Sequence, residues 1–338
     1  MNTPEIRPEA PMSRPNIPVT WLYVPGDRPE RFDKAMASGA DVVIIDLEDA
    51  VAPVRKDEAR QNAVAYLSDL RDRRAAAQPL RDGAGSGGSG AGFGGSGAGF
   101  GAGASGPEVH VRVNDAASGR GREDLAAVGD LADAVRLPKV ESVSVLDLVG
   151  GAPAYALLES AAGIVAAREI AAHPRVAGVA LGEQDLAAEL AITDEQAMNH
   201  LRLQIVLAAA AAGLSPVPMS VYPDVKDEAG LLASCRAGRG LGLFGRTAIH
   251  PRQIPVIRRA FRPTEEETAR AAEIVAAAEE AERAGIGAVA LPDGRFVDAP
   301  IVTRARRTVA LSRHLTDPPV SGDAGAAPRE TDPPDSGN

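Results

Sequence analysis

Asp46, Glu48 and Asp49 place three carboxylates within four positions, directly after the apolar run Val42-Val-Ile-Ile45. On an extended strand Asp46 and Glu48, two apart, project to the same face. Burying that charge is costly unless a cation or hydrogen-bond donors compensate it. The stretch is therefore either a polar strand end meeting solvent or one wall of a cation-dependent site. Similar groups recur wherever a short apolar run stops. Arg28 follows residues 19–24, and Arg112 and Asn114 close 108–113. Lys139 and Glu141 follow 133–137, Glu159 follows 154–158, Asp185 follows 176–181, and His250 follows 240–244.

Acidic groups behind several strands, with no cysteine cluster or histidine pair, suit a hard, oxygen-seeking cation. Mg²⁺ takes one or two carboxylates and completes its shell with water and substrate oxygens. Zinc is disfavoured, since no His/Cys cluster has ligand spacing. Arg112, between acidic strand ends, can meet a substrate carboxylate or a developing enolate. Arg28 and Arg31 are placed either to meet phosphates or simply to start a solvated helix. Lys139 could form a Schiff base with a carbonyl substrate, but Glu141 two residues on favours its protonated form. Cys235 has no nearby histidine and reads as inert. His110 reads as a packed strand residue, whereas His250 is equally suited to anchor a loop or touch a ligand. No Walker sequence or dinucleotide glycine fingerprint follows a strand, which leaves nucleotide-driven phosphoryl or hydride transfer unsupported.

What elements could gather these groups? Residues 19–24, 42–46, 108–113, 133–137, 154–158, 176–181, 217–222 and 240–244 read as eight short strands, rich in β-branched residues. Helical patterns separate most of them, at 29–38, 55–74, 163–172 and 196–212. In the second of these, Ala59, Ala63, Val64 and Leu67 carry the spacing of an amphipathic helix. Alternating strands and helices imply a parallel sheet, and eight repeats fit an α/β fold of the (β/α)8 TIM-barrel kind. In that architecture the strand C-termini build the active site, and seven of the eight predicted strands end in a chemically useful group.

The formal net charge of −10 argues against nucleic acid as a partner, which would require a basic surface. Residues 82–106 turn abruptly to Gly, Ser and Ala, and the seven letters from Gly87 to Phe93 repeat at 94–100. That composition predicts a flexible insert between a helix and the third strand, on the face away from the chemistry. Residues 18–262 are expected to form the barrel. Residues 263–316 read as a helical and extended appendage for oligomerisation or as a lid, with disordered ends at 1–17 and 317–338. The polar, proline-rich start is unlike a secretory signal, and the longest apolar helical run, 205–214, falls short of a membrane span. With a single cysteine, a cytoplasmic protein without membrane attachment is expected.

Read together, Val24-Pro-Gly-Asp-Arg-Pro-Glu-Arg-Phe32, Asp46-Leu-Glu-Asp-Ala-Val51, Val111-Arg-Val-Asn114 and Leu137-Pro-Lys-Val-Glu-Ser142 form an ordered series. Leu158-Glu-Ser160, Gly182-Glu-Gln-Asp-Leu186 and Ile249-His-Pro-Arg-Gln253 complete it. The series resembles the HpcH/HpaI aldolase and citrate lyase β-subunit family, in its branch that cleaves CoA esters. Phe296-Val-Asp298-Ala-Pro300 is similar to that family's C-terminal segment. The resemblance implies Mg²⁺ held by Glu159 and Asp185, and Arg112 on the substrate carboxylate or enolate. It implies Asp46 and Glu48 holding water beside the metal, with Lys139, Glu141 and Arg28 near the substrate. Asp298, from a neighbouring subunit of a homotrimer or homohexamer, would serve as acid/base. The implied reaction is reversible Claisen cleavage of malyl-, citramalyl- or citryl-CoA to a 2-oxo acid and acetyl-CoA or a homologue. Alternatives are a malyl-CoA-type thioesterase, a CoA-independent 2-oxo acid aldolase, or a non-catalytic subunit that binds acyl-CoA. Met219-Ser220 stands where many relatives carry an aspartate, and the loop after Asn114 is short, which bears on substrate choice.

Overall fold

The computed structural model describes residues 17–77, 106–284, 289–290 and 296–315. The insert at 82–106 and the chain ends expected to be disordered fall, but for Gly106 and Ile17, outside the described residues. The chain divides into two compact units, Met1–Arg262 and Pro263–Asn338.

The first unit is built on seven strands: β1 (Thr20–Pro25), β2 (Val42–Asp46), β3 (Glu108–Arg112), β4 (Ala134–Leu137), β5 (Ala154–Leu158), β6 (Val176–Leu181) and β7 (Arg246–Ala248). They form one sheet in the order β6-β5-β4-β3-β2-β1-β7, and every pair is parallel. Every residue of β2, β4 and β5 is buried. A run apolar on both faces is what a parallel sheet covered by helices requires. Four of the described helices of this unit begin on side-chain caps: Ser118 accepts from Gly121 N, Ser160 from Gly163 N, Asp194 from Gln196 and Ala197, and Asp227 from Gly230.

At the N-terminal edge of the sheet Asp41 ties elements together. Its Oδ2 accepts from the backbone N–H of Val19 and Thr20 and from the Thr20 hydroxyl, and its Oδ1 from Arg258. The helix Lys56–Ala77 returns the chain toward this edge, where β3 starts at Glu108.

Two strand assignments need correction. Residues 240–244 are not the eighth strand; the helix Glu228–Gly240 occupies its start, and the ladder resumes at β7. The predicted strand 217–222 contributes a single bridge, Met219 to Arg246. Proline explains why. Met219 N donates to Gly245 O, so the amides of residues 216, 218 and 220 point the other way, and two of those three are prolines without an N–H. Among the described residues the hydrogen-bonded sheet thus has seven strands and one bridging residue. The class is mixed α/β with a parallel sheet.

The second unit pairs the helices Glu265–Arg283 and Ala299–Leu315. Thr264 and Glu267 close a reciprocal capping box at the start of the first. The second carries Pro300 in its first turn, where proline is tolerated. Two-residue strands, Val289–Ala290 and Phe296–Val297, pair antiparallel between them.

Gly245 carries the turn into β7 with φ +78°, and a Cβ there would lie 2.5 Å from Val19 O and 2.5 Å from the Trp21 ring. Gly213 has a similar φ of +70° but open space around it. Gly245→Ala is therefore expected to cost about 2–4 kcal/mol, combining left-handed strain with a backbone clash, and Gly213→Ala only about 1 kcal/mol. Urea unfolding of both variants tests this, and equal losses would show that the clash at Gly245 relaxes freely.

Candidate active site

The site lies at the C-terminal edge of the sheet, and its floor follows from strand alternation. On β2 the residues Val42, Ile44 and Asp46 share one face. The first two pack with Trp21 and Tyr23 in an apolar cluster beneath the third. One layer higher, register aligns Asp46 with Arg112, Arg112 with Arg136, and Arg136 with Tyr155. The same face is thus apolar low in the sheet and charged at its rim.

Asp46 and Arg112 are clamped together. Arg112 Nε donates to Asp46 Oδ1 at 2.7 Å and Nη2 to Oδ2 at 2.6 Å. The same two oxygens also accept from the backbone N–H of Glu48 and Ala50, at 2.9 and 3.0 Å. Asp46 is 1% exposed, so this double pairing compensates an otherwise prohibitive buried charge. Arg112 Nη1 reaches Glu48 at 3.1 Å and Asp49 at 3.2 Å, and the guanidinium stacks 4.8 Å from the centre of the Tyr23 ring. Burial opposes its charge, but Tyr23, Asp46 and Glu48 outweigh that and keep Arg112 protonated.

Glu159 and Asp185 form the other half. Lys139 adopts a left-handed backbone, φ +53°, which turns its N–H onto Glu159 Oε1 at 2.8 Å. A side-chain-bearing residue in that conformation is strained, a cost found where function holds the backbone. Asp185 stands in the first turn of the helix Glu183–Leu190, immediately after β6. Gly182 lets that turn approach; a Cβ there would sit 2.3 Å from Glu159 Cβ and 2.7 Å from Oε2. Burial, and then the charge of Asp185, raise the Glu159 carboxyl. Two carboxylates in one pocket, one with an oxygen facing no donor among the described residues, are groups that could hold an oxygen-seeking divalent cation. No group of three or more His, Cys, Asp or Glu is gathered as a metal cage among the described residues, which leaves room for substrate and water oxygens.

A cavity of about 370 Å³ joins these halves, lined by Tyr23, Asp46, Arg112, Arg136, Glu159 and Asp185 among others. It draws on both edges of the sheet, since Ala180 of β6 and Thr247 of β7 also face it. Lys139 stands beside it, its Nζ 3.7 Å from Glu48 Oε1. Partial burial opposes the Lys139 charge, but Glu48, Asp49, Glu159 and Asp185 raise its pKa and make it a poor amine nucleophile. Arg28 and Glu141 are exposed and outside the cavity lining. Asp298 belongs to the second unit, where it accepts from Ile301 N at 3.2 Å. Asn114 is scaffolding, held by Asp124, Lys56 and the Leu47 carbonyl. His250 Nδ1 accepts from Arg252 N and is exposed. Cys235 is buried, and burial raises its thiol pKa.

Two lining residues escape a reading of strand ends. Tyr23 and Arg136 lie inside their strands, and only a basic residue in an otherwise apolar four-residue strand signals the second. Arg136 is 1% exposed, with its guanidinium 5.1 Å from the Tyr155 ring centre.

Comparison with known proteins gives a consistent picture. The HpcH/HpaI aldolase/citrate lyase family model matches residues 20–85 and 101–251, skipping the stretch that holds the seven-residue repeat. A (3S)-malyl-CoA thioesterase of Cereibacter sphaeroides is 38% identical over 304 residues, covering 87% of this chain and 94% of the relative. The citrate lyase subunit beta-like protein of Mycobacterium tuberculosis is 36% identical over 305 residues, covering 88% and 96%. The crystal structure of protein CitE from M. tuberculosis, in complex with magnesium, acetoacetate and coenzyme A, matches with TM-score 0.66 and 33% identity, over 89% of this chain and all of that one. The citrate lyase beta subunit of the same organism, complexed with oxaloacetate and magnesium, matches with TM-score 0.57 and 33% identity, over 74% and 99%. With the family model covering well over half the chain, and with strand-end carboxylates and arginine gathered in one cavity, this protein belongs to the HpcH/HpaI aldolase/citrate lyase family, enzymes whose namesakes cleave carbon–carbon bonds.

Proposed function

We propose that this protein is a Mg²⁺-dependent CoA-ester lyase that reversibly cleaves a 3-hydroxyacyl-CoA into a 2-oxo acid and acetyl-CoA or a homologue. The observation that carries the reading is one cavity lined by Glu159, Asp185 and Arg112. The reading takes the parallel sheet as a (β/α)8 barrel with residues 217–219 in the seventh place, which brings all strand ends to one rim.

Glu159 and Asp185 would hold the Mg²⁺ that relatives bind, and this ion supplies Lewis acidity toward the oxygens of the substrate's acid end. When the carbon–carbon bond breaks, the 3-hydroxyl gives its proton to a neighbouring carboxylate or water and becomes the carbonyl of the 2-oxo acid, while the bond's electron pair moves onto the thioester as an enolate. Arg112, fixed by Asp46, offers that charge a prepositioned guanidinium. Glu48 is pushed up to about 7, first by burial and then by its hydrogen bond with Asp49. It can therefore hold or release a proton near neutral pH beside Arg112. Delivery of a proton to the acyl carbon falls to Asp298 of a neighbouring copy in a homotrimer or homohexamer, an assignment that rests on the family resemblance. A second reading, hydrolysis of the thioester, is favoured by the likeness to a malyl-CoA thioesterase.

Assaying malyl-, citramalyl- and citryl-CoA with Mg²⁺, with and without EDTA, and measuring 2-oxo acid and free thiol separately, decides between the two. Both cleavage products without net thiol mean lyase; thiol without 2-oxo acid means thioesterase. Asp185→Ala is expected to lower Mg²⁺-dependent turnover about 100-fold or more. Its melting temperature should change little, because the side chain is exposed and caps nothing. Undiminished turnover would remove Asp185 from the metal site.

The Glu48 proton sets a pH dependence of stability. A folded pKa of about 7, above the ordinary 4.5, means the folded state holds this proton more tightly. The stability it contributes is complete below about pH 4.5 and is lost as pH rises through about 7. Glu48→Gln keeps a neutral side chain at every pH. In EDTA, its stability relative to the parent protein should rise by on the order of 2 kcal/mol between pH 5 and 8.5. A pH-independent difference in urea titrations would show that Glu48 is already ionised at pH 5.

A further inference from the structure

Two guanidiniums sit side by side at the cavity floor in opposite electrostatic situations. Arg112 and Arg136 are register partners on β3 and β4. Arg112 spends its donors on Asp46, Glu48 and Asp49. Arg136 has the largest fully buried side chain among the described residues, and none of them offers a hydrogen-bond partner to its Nε or Nη2. Its guanidinium lies over the Tyr155 ring, the neighbouring charged group is the like-charged Arg112, and no carboxylate pairs with it among the described residues. His110 lies beside the same Tyr155 ring, and burial together with Arg136 keeps it neutral, so it supplies no anion. Burying a cation in this way is costly unless a ligand brings the counter-charge. Arg136 lines the cavity, so a ligand there can reach it.

Which part of a ligand goes that deep? On the lyase reading the acid half of the substrate is the part engaged beside Glu159 and Asp185, both of which line the same cavity as Arg136, while the CoA arm extends outward from it. One carboxylate of that half is engaged beside Glu159 and Asp185. We propose that Arg136 reads a second carboxylate, at the far end of the acid half, and so makes the enzyme select 2-oxo dicarboxylic acids and their CoA adducts over monocarboxylic ones. This rests on the lyase reading above for the direction in which the substrate enters. In this role Arg136 determines specificity, while Arg112 faces the charge that develops during reaction.

The test compares the parent protein with Arg136→Met and Arg136→Lys in the condensation direction, using acetyl-CoA, Mg²⁺ and either oxaloacetate or pyruvate. Removing one partner of a buried, hydrogen-bonded charge pair predicts that Arg136→Met lowers the oxaloacetate-to-pyruvate ratio of kcat/KM by about 30-fold or more. The loss should appear mainly in KM, with partial recovery in Arg136→Lys. An unchanged ratio, or equal losses on both acids, overturns the proposal. A binding readout separates it from the lyase reading. With Mg²⁺ and no CoA ester, malate should raise the melting temperature of the parent protein more than lactate does, and Arg136→Met should abolish that difference. A protein that turns over no CoA ester but still shows this Arg136-dependent preference for malate refutes the lyase reading and keeps the assignment of Arg136. If Arg136→Met does not fold, the parent protein and Arg136→Lys decide. Equal stabilisation of the parent protein by malate and lactate overturns the proposal, and a malate preference weakened in Arg136→Lys supports it.

Discussion

The two-pronged pairing of Asp46 with Arg112 is the interaction on which the rest of the site depends. It joins neighbouring strands at the same level of the sheet, so its geometry is set by backbone register and not by flexible loops. Each carboxylate oxygen also carries a backbone N–H, which fixes the turn holding Glu48 and Asp49. Once that turn is fixed, the remaining guanidinium nitrogen meets Glu48, and Glu48 in turn meets Lys139. Lys139 orients Glu159 through its own amide. A chain of contacts therefore runs from β2 through β3 and β4 to the carboxylate on β5.

This arrangement concentrates charge where water is scarce, and the groups solve that problem in different ways. Asp46 is fully paired. Glu48 moves its pKa to about 7. Burial and the charge of Asp185 raise the pKa of Glu159, a cost that the Mg²⁺ proposed for this pair would relieve. Arg136 has the Tyr155 ring face beside it but no carboxylate paired with it among the described residues, which sets it apart from the other charged groups of the site. Below them, Trp21, Val42 and Ile44 form a dry base that keeps these interactions strong.

Much of this was legible before any coordinates. In a parallel sheet all strands point the same way, so polar residues that end successive apolar runs must meet at one edge. Asp46, Arg112, Glu159 and Asp185 follow from that rule, and they line one cavity. Arg28 and Glu141 satisfy the same rule but lie outside the lining, because one residue more or less past a strand end changes the direction a side chain takes. The strand assigned to 240–244 was misplaced because a glycine-rich apolar stretch fits a helix end as well as a strand. The strand at 217–222 shrank to one bridge because alternate prolines remove the donors along one edge.

The sequence alone determined the α/β class, most of the order of strand and helix, and the set of strand-end groups. These depend on local periodicity and residue chemistry. Only the tertiary structure decided which of those groups share a cavity, that Asp46 clamps Arg112, and that Arg136 lines the cavity with no carboxylate paired to it among the described residues. Register and burial are long-range properties: they arise from residues dozens of positions apart, and no local pattern records whether a charge inside a strand meets solvent, a counter-ion or an empty pocket.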